Sequence, residues 1–168
     1  MSIPLEIERK YLINYPDTEA LRGRCSAVYA IEQTYLHAEP GVTARVRRRV
    51  GEKEEFFYTE KERLSDLTHV ERERAITREE YDALLEKRDE KALTICKTRY
   101  CLPHEGLTFE IDVYPFWRAV AVMEVELQRE DQEFALPPEI TVIREATDDR
   151  RMKNAALARH IPDEMELL

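Results

Sequence analysis

The sequence predicts a mainly β fold of the α+β class: an eight-stranded antiparallel closed β-barrel, or tunnel, with a polar, charged lumen and flanking helices. Three observations predict it. Seven of eight extended segments carry two or three charged residues on one face, because the charges recur at every second position. The opposite faces of the same segments are mainly apolar, so each strand has one face for water or ligand and one for a core. Finally, the charged rows are grouped by sign: Arg45, Arg47 and Arg49 stand together, as do Lys97 and Arg99, Glu71 and Glu73, Glu110 and Asp112, and Glu124 and Glu126. A merely solvated surface would not need that sorting.

Ile3 to Ile13 reads as the first strand, with Glu6, Glu8 and Lys10 on one face and Leu5, Ile7 and Arg9 on the other. Asp17 to Gly23 is a short helix, with Asp17 at the N-cap and Gly23 as its stop. Ala27 to Ala38 is extended, and Pro40-Gly41 turns it into Val42 to Val50, the strand of the arginine row. After Gly51-Glu52, Glu55 to Glu62 aligns Thr59 with Lys61, and Thr68 to Ile76 aligns Glu71 with Glu73. Thr77-Arg78-Glu79-Glu80 has the form of a capping box, and Tyr81, Leu84 and Leu85 give the helix from Arg78 to Arg88 an apolar stripe. Ala92 to Leu102 is a strand that Glu105-Gly106 turns into Leu107 to Tyr114. Ala119 to Gln128 is the eighth strand. Asp131 to Ala135 and Asp148 to Arg159 read as helices, and the tail from Asp163 to Leu168 is expected to fray. No repeat or linker interrupts the chain, so residues 1–168 are expected to form one domain.

Of the 168 residues 36% are charged, against about a quarter in ordinary proteins. The net charge of −9 argues against a general nucleic-acid or anionic-membrane binder but leaves room for a local basic pocket. Cys25, Cys96 and Cys101 form no CxxC pair and read as free thiols of a reducing compartment. His37, His69, His104 and His160 lack metal-ligand spacing and read as surface or strand residues. With no leader-like opening and no apolar run near the ~20 residues that span a bilayer, a cytoplasmic protein is expected, monomer or homodimer.

Rows of charge turned into a barrel would be costly unless they compensate one another or a ligand. Clustered bases suit a multiply charged anion, since guanidinium forks match phosphate oxygens. Clustered carboxylates suit a hard divalent cation, Mg²⁺ or Mn²⁺ before zinc. Together they describe a site for a polyphosphate and a metal, built from side chains because no glycine-rich phosphate loop is present.

These residues also resemble a known family. Glu6-Ile7-Glu8-Arg9-Lys10 is similar to the ExExK signature of the CYTH domain, the triphosphate tunnel metalloenzymes. The likeness continues in order through Ala44-Arg45-Val46-Arg47, Tyr58-Thr59-Glu60-Lys61, Glu71-Arg72-Glu73, Lys97-Thr98-Arg99-Tyr100, Phe109 to Val113, Met123 to Leu127, Glu145-Ala146-Thr147 and Arg151-Met152-Lys153-Asn154. The resemblance implies hydrolysis of a triphosphate with Mg²⁺ or Mn²⁺. It implies Glu6, Glu8, Asp112, Glu124 and Glu126 as metal ligands, and Lys10, Arg45, Arg47, Lys61, Lys97, Arg99, Arg151 and Lys153 as phosphate holders. Glu8, Glu126 and Lys10 are the expected catalytic residues, with Glu8 or Glu126 as proton acceptor. Inorganic triphosphate is the expected substrate. Thiamine triphosphate, nucleoside triphosphates, adenylate cyclisation and non-catalytic polyphosphate binding are the alternatives, and Trp117 is weighed as a stacking surface for an organic group. The chain departs from the family pattern before Glu124, where Trp117 to Val122 lacks the usual Gly-Leu, and at Ala146 and Met152.

Overall fold

Strand β1 (Leu5–Asn14) is the seam of the molecule. One edge runs along β8 (Val120–Leu127) from Ile7 to Asn14. The other edge is divided: Leu5 to Ile7 pair with β5 (Thr68–Ile76), and Tyr11 to Ile13 pair with the short β9 (Val142–Glu145). Between them lie β2 (Ala27–Leu36), β3 (Val42–Val50), β4 (Glu54–Arg63), β6 (Ile95–His104) and β7 (Leu107–Val113). The strand order is β5-β4-β3-β2-β6-β7-β8-β1, every pairing is antiparallel, and the β1–β5 contact closes the ring. The structure, a computed structural model, describes residues 3–168; Met1 and Ser2, the start of the expected domain, lie outside the described residues.

The expected closed eight-stranded barrel therefore forms. Its tight turns follow the local chemistry: Glu105 and Gly106, between β6 and β7, both have positive φ (48° and 79°), the pairing a two-residue hairpin turn requires. β9 is an addition that four residues were too few to signal by alternation.

Outside the barrel, Tyr11, Ile13, Phe109, Ile111, Met123 and Val125 form a core with Leu21 of α1 (Thr18–Arg22) and with Phe134 and Ile140. On the other side α2 (Arg78–Leu85) lays Tyr81 against Phe56, with Thr77 accepting from the Glu80 amide as its cap. The helix expected at Asp131 to Ala135 does not form. Gln132 instead turns its side chain back to accept from the Gln128 amide at 2.7 Å, and Phe134 packs edge-on to Tyr11, so tertiary contact overrides local preference.

Along β1 and β8 the inward rows turn apolar beyond Lys10 and Glu124. Leu12, Ile95, Tyr114 and Val122 pack with Met152, Leu157 and Leu167, so the C-terminal segment fills this end of the barrel. The helix expected from Asp148 to Arg159 is broken for that reason. Lys153 is extended (φ −74°, ψ 138°), leaving a 3-10 turn at Arg150–Met152 and a short α3 (Asn154–Leu157). Met152 is fully buried and its carbonyl accepts from Lys10 Nζ at 3.0 Å. Nor does the tail fray: Glu164 accepts from the Arg118 and Ala119 amides at 2.8 Å, and Leu167 is buried with its carbonyl accepting from Arg144 Nε.

Asp149 ties this segment down. It accepts from Arg151 and from Arg144 of β9, both at 2.8 Å, and these hydrogen bonds, Arg151 first, hold its carboxyl well below the usual carboxylate range. A carboxyl with a depressed folded pKa stabilises at neutral pH and loses that contribution as pH falls through the acid range. Asp149→Asn is thus expected to cost about 1 kcal/mol at pH 7. The gap between urea midpoints of the variant and wild type should begin to narrow as pH falls below about 4 and close only at still lower pH, where the folded carboxyl is itself protonated.

Candidate active site

The charged half of the barrel encloses a cavity of about 500 Å³. Its walls carry eight bases (Lys10, Arg45, Arg47, Arg49, Lys61, Arg63, Arg99, Lys153) and seven acids (Glu6, Glu8, Glu71, Glu73, Glu110, Glu124, Glu126). Register explains the crowding. Across β1 and β8, Glu8 stands opposite Glu126, and across β7 and β8, Glu110 stands opposite Glu124. Like charges directly opposite destabilise a sheet, so folding alone gives no reason for these pairs.

The acids gather around one ammonium. Lys61 Nζ lies 2.7 Å from Glu6, 3.3 Å from Glu8 and 3.8 Å from Glu71. Burial, then Glu71, pushes the Glu6 carboxyl up to about 7. Burial, with Glu6, Glu110 and Glu8 behind it, also raises Glu126. Beside them His69 is buried, and burial followed by the charges of Lys61, Lys153, Lys10 and Arg63 pushes it down to about 3, so it is neutral.

The bases of β3 are less committed. Arg47 donates to Glu73 at 3.3 Å, and burial together with Arg45 and Arg99 lowers it to about 10. The Nε atoms of both Arg45 and Arg47 are buried without a hydrogen-bond partner among the described residues. Buried guanidinium donors left unpaired are costly, and their alignment on one strand fits an anion with several oxygens.

A family model described as the CYTH domain matches residues 4–152. This chain belongs to the CYTH domain family. A curated relative, the inorganic triphosphatase of Nitrosomonas europaea, is 34% identical, with 94% of this chain and 99% of the relative covered. The crystal structure of the inorganic triphosphatase NE1496 has a TM-score of 0.56 at 31% identity, over 94% of this chain and 97% of that one. The PH1819 protein from Pyrococcus horikoshii OT3 has a TM-score of 0.58 at 22% identity, over 75% of this chain and 80% of its own, a likeness of fold alone.

Of the residues singled out from the CYTH resemblance, Glu6, Glu8, Lys10, Arg45, Arg47, Lys61, Arg99, Glu124, Glu126 and Lys153 line the cavity together. Three do not. Lys97 and Asp112 lie beneath the wall, bonded to each other at 2.7 Å with each side chain 1% exposed, and Asp112 also takes Arg99 Nε at 2.8 Å. Burial opposes the Asp112 charge, but Arg99 and Lys97 outweigh it and hold the carboxyl low. Arg151 points outward onto Asp149, 53% exposed. Lys10 is also partly committed, between the Met152 carbonyl and Glu124 Oε1 at 3.3 Å.

His69 escaped the reading of this CYTH sequence because histidines were judged by their spacing from one another. The usable signal was its place two residues before Glu71, in the same inward row. Trp117, weighed as a stacking surface, is a core residue, 2% exposed with Nε1 donating to the Pro162 carbonyl.

The donor set fits a divalent cation. Glu6, Glu8 and His69 each offer an atom within 4.8 Å of the others, and the buried Glu6 Oε2 and Glu71 Oε2 both face Lys61 Nζ, at 2.7 and 3.8 Å, a place where a cation already stands.

Proposed function

We propose that this protein hydrolyses a phosphoanhydride bond of inorganic triphosphate, with Mg²⁺ or Mn²⁺ as cofactor. The observation that carries the proposal is the division of one enclosed cavity into opposed acid pairs and a row of arginines, two of which, Arg45 and Arg47, keep a buried Nε donor unpaired among the described residues. A pure anion binder would have no use for the acid pairs, which disfavours the non-catalytic reading.

In this proposal Arg45, Arg47, Lys61 and Lys153 hold phosphate oxygens and offset the charge that grows on the leaving phosphate. Arg99 faces the cavity while Lys97 and Asp112 keep it in place. Glu6, Glu8, Glu124 and Glu126 would hold the cation, which when bound would supply charge neutralisation and lower the pKa of a water. Glu126, on the cavity wall with its carboxyl raised by burial, is placed to take the proton of the attacking water; Glu8 is the other candidate. Enclosure by the barrel keeps the phosphates aligned among these groups. Trp117 lies in the core and lends no support to an organic group, although Tyr29 and Tyr35 line the cavity; the preference for the bare triphosphate over thiamine triphosphate or nucleotides rests on the likeness to an inorganic triphosphatase. Free Cys25, Cys96 and Cys101 fit a cytoplasmic location.

The test is phosphate release from tripolyphosphate, thiamine triphosphate and ATP, each with Mg²⁺ and with Mn²⁺. Tripolyphosphate should be turned over fastest; no turnover of any of the three would sink the hydrolase reading, and cyclic AMP from ATP would replace it with cyclisation. Arg47→Ala is expected to raise KM for tripolyphosphate by about tenfold or more while changing kcat less, because it removes a charge-assisted contact made in ground and transition states alike. Steady-state kinetics of that variant checks it.

A further inference from the structure

We propose that His69 is a nitrogen ligand of the divalent-cation site, acting with Glu6 and Glu8 and biasing that site toward transition-metal ions such as Mn²⁺ over Mg²⁺. The proposal rests on the metal-dependent reading above and deepens it. Antiparallel pairing of β1 with β5 sets Glu6 directly opposite His69, and the donor atoms of Glu6, Glu8 and His69 fall within 4.8 Å of one another. The position is fixed by backbone on both sides, the Glu8 amide donating to the Leu67 carbonyl and the Glu71 amide to the Pro4 carbonyl, each at 3.0 Å.

The imidazole itself points to a ligand. His69 is 5% exposed, and it lines the cavity directly across from Glu6. Its Nε2 lies 3.3 Å from Lys153 Nζ, and an ammonium only donates, so that nitrogen presents its lone pair. Two ammonium groups thus stand on the donors a metal would use, Lys61 on Glu6 and Glu8 and Lys153 on His69. A cation taking those donors would free both lysines for phosphate oxygens. A neutral imidazole among carboxylates changes selectivity: Mg²⁺ prefers oxygen donors and retains its waters, whereas later divalent ions gain from a nitrogen ligand.

The probe is Mn²⁺ alone, added to the full chain without triphosphate and followed by pulsed electron paramagnetic resonance and by calorimetry. Wild type should show hyperfine coupling from a nitrogen to bound Mn²⁺, and that coupling should change when histidine is replaced by its nitrogen-15-labelled form, a readout that needs no variant. His69→Gln should lose the coupling and weaken Mn²⁺ by about tenfold or more, while Mg²⁺ affinity moves by less than about twofold. Saturable Mn²⁺ binding with no histidine coupling, coupling that persists in His69→Gln, or no saturable Mn²⁺ binding to wild type would each overturn the proposal. Turnover plays no part in this readout, so failure here leaves the hydrolase reading to its own substrate panel.

Discussion

Glu8→Ala is expected to lower the rate of tripolyphosphate hydrolysis by about two to three orders of magnitude, and Glu126→Ala to do the same. The two residues face each other across β1 and β8 on the cavity wall, so either loss halves an opposed acid pair at the place proposed for the cation and the attacking water. Stability should not follow activity. Removing one of two like charges that stand directly opposite relieves repulsion, so Glu126→Ala is expected to unfold at or above the wild-type temperature, and Glu8→Ala, which also gives up its contact with Lys61, close to it. The measurement is kcat beside a thermal unfolding midpoint. Wild-type rates in both variants would show that the reacting atoms lie elsewhere in the barrel, while loss of fold in both would show that the acid pair is structural.

The reason this pair was legible in the sequence is geometric. A strand has a period of two, so Glu6, Glu8 and Lys10, or Glu124 and Glu126, announce a shared face without any knowledge of the fold. The closure of the barrel was legible through the same rows, since seven charged faces need a common interior. What alternation does not carry is depth. Lys97 and Arg99 sit in one row, as do Glu110 and Asp112, yet Arg99 and Glu110 line the cavity whereas Lys97 and Asp112 are sealed beneath it. The boundary is set by the C-terminal segment, whose Met152 and Leu157 pack against Tyr114 and Ile95 at the filled end. That packing also broke the helix expected from Asp148 to Arg159, because burying Met152 and bonding its carbonyl to Lys10 required an extended Lys153. Long-range contacts of this kind leave no local period to read. His69 shows the complementary failure: its row was visible, but its opposite number Glu6 became apparent only through β1–β5 register.

Asp112→Ala is expected to cost about 3–5 kcal/mol of folding stability in the absence of metal and triphosphate, because it leaves two buried cations without their shared anion. Asp112 accepts from Lys97 at 2.7 Å and from Arg99 at 2.8 and 2.9 Å, and its own side chain is 1% exposed. Against a total of roughly 5–15 kcal/mol for a domain, that loss should be plain in a urea midpoint. A residue whose only work was to ligate a metal would show no such deficit in metal-free protein. Arg99 keeps a second partner, Glu110 at 2.6 Å, so the larger share of the deficit belongs to Lys97. Two consequences separate this account from general damage. Replacing the pair together, Lys97→Met with Asp112→Leu, should restore most of the stability by removing both buried charges. The single-variant deficit should also narrow as pH rises. Burial, outweighing Asp112, already pushes the Lys97 amine down to about 8, and without its partner the amine falls further. A base with a depressed folded pKa binds fewer protons folded than unfolded, so stability climbs with pH through that window. A deficit that does not narrow as pH rises toward about 8, above which Lys97 is neutral in both proteins, or a double variant no better than the single, would mean that Asp112 stabilises the barrel by some route other than neutralising Lys97.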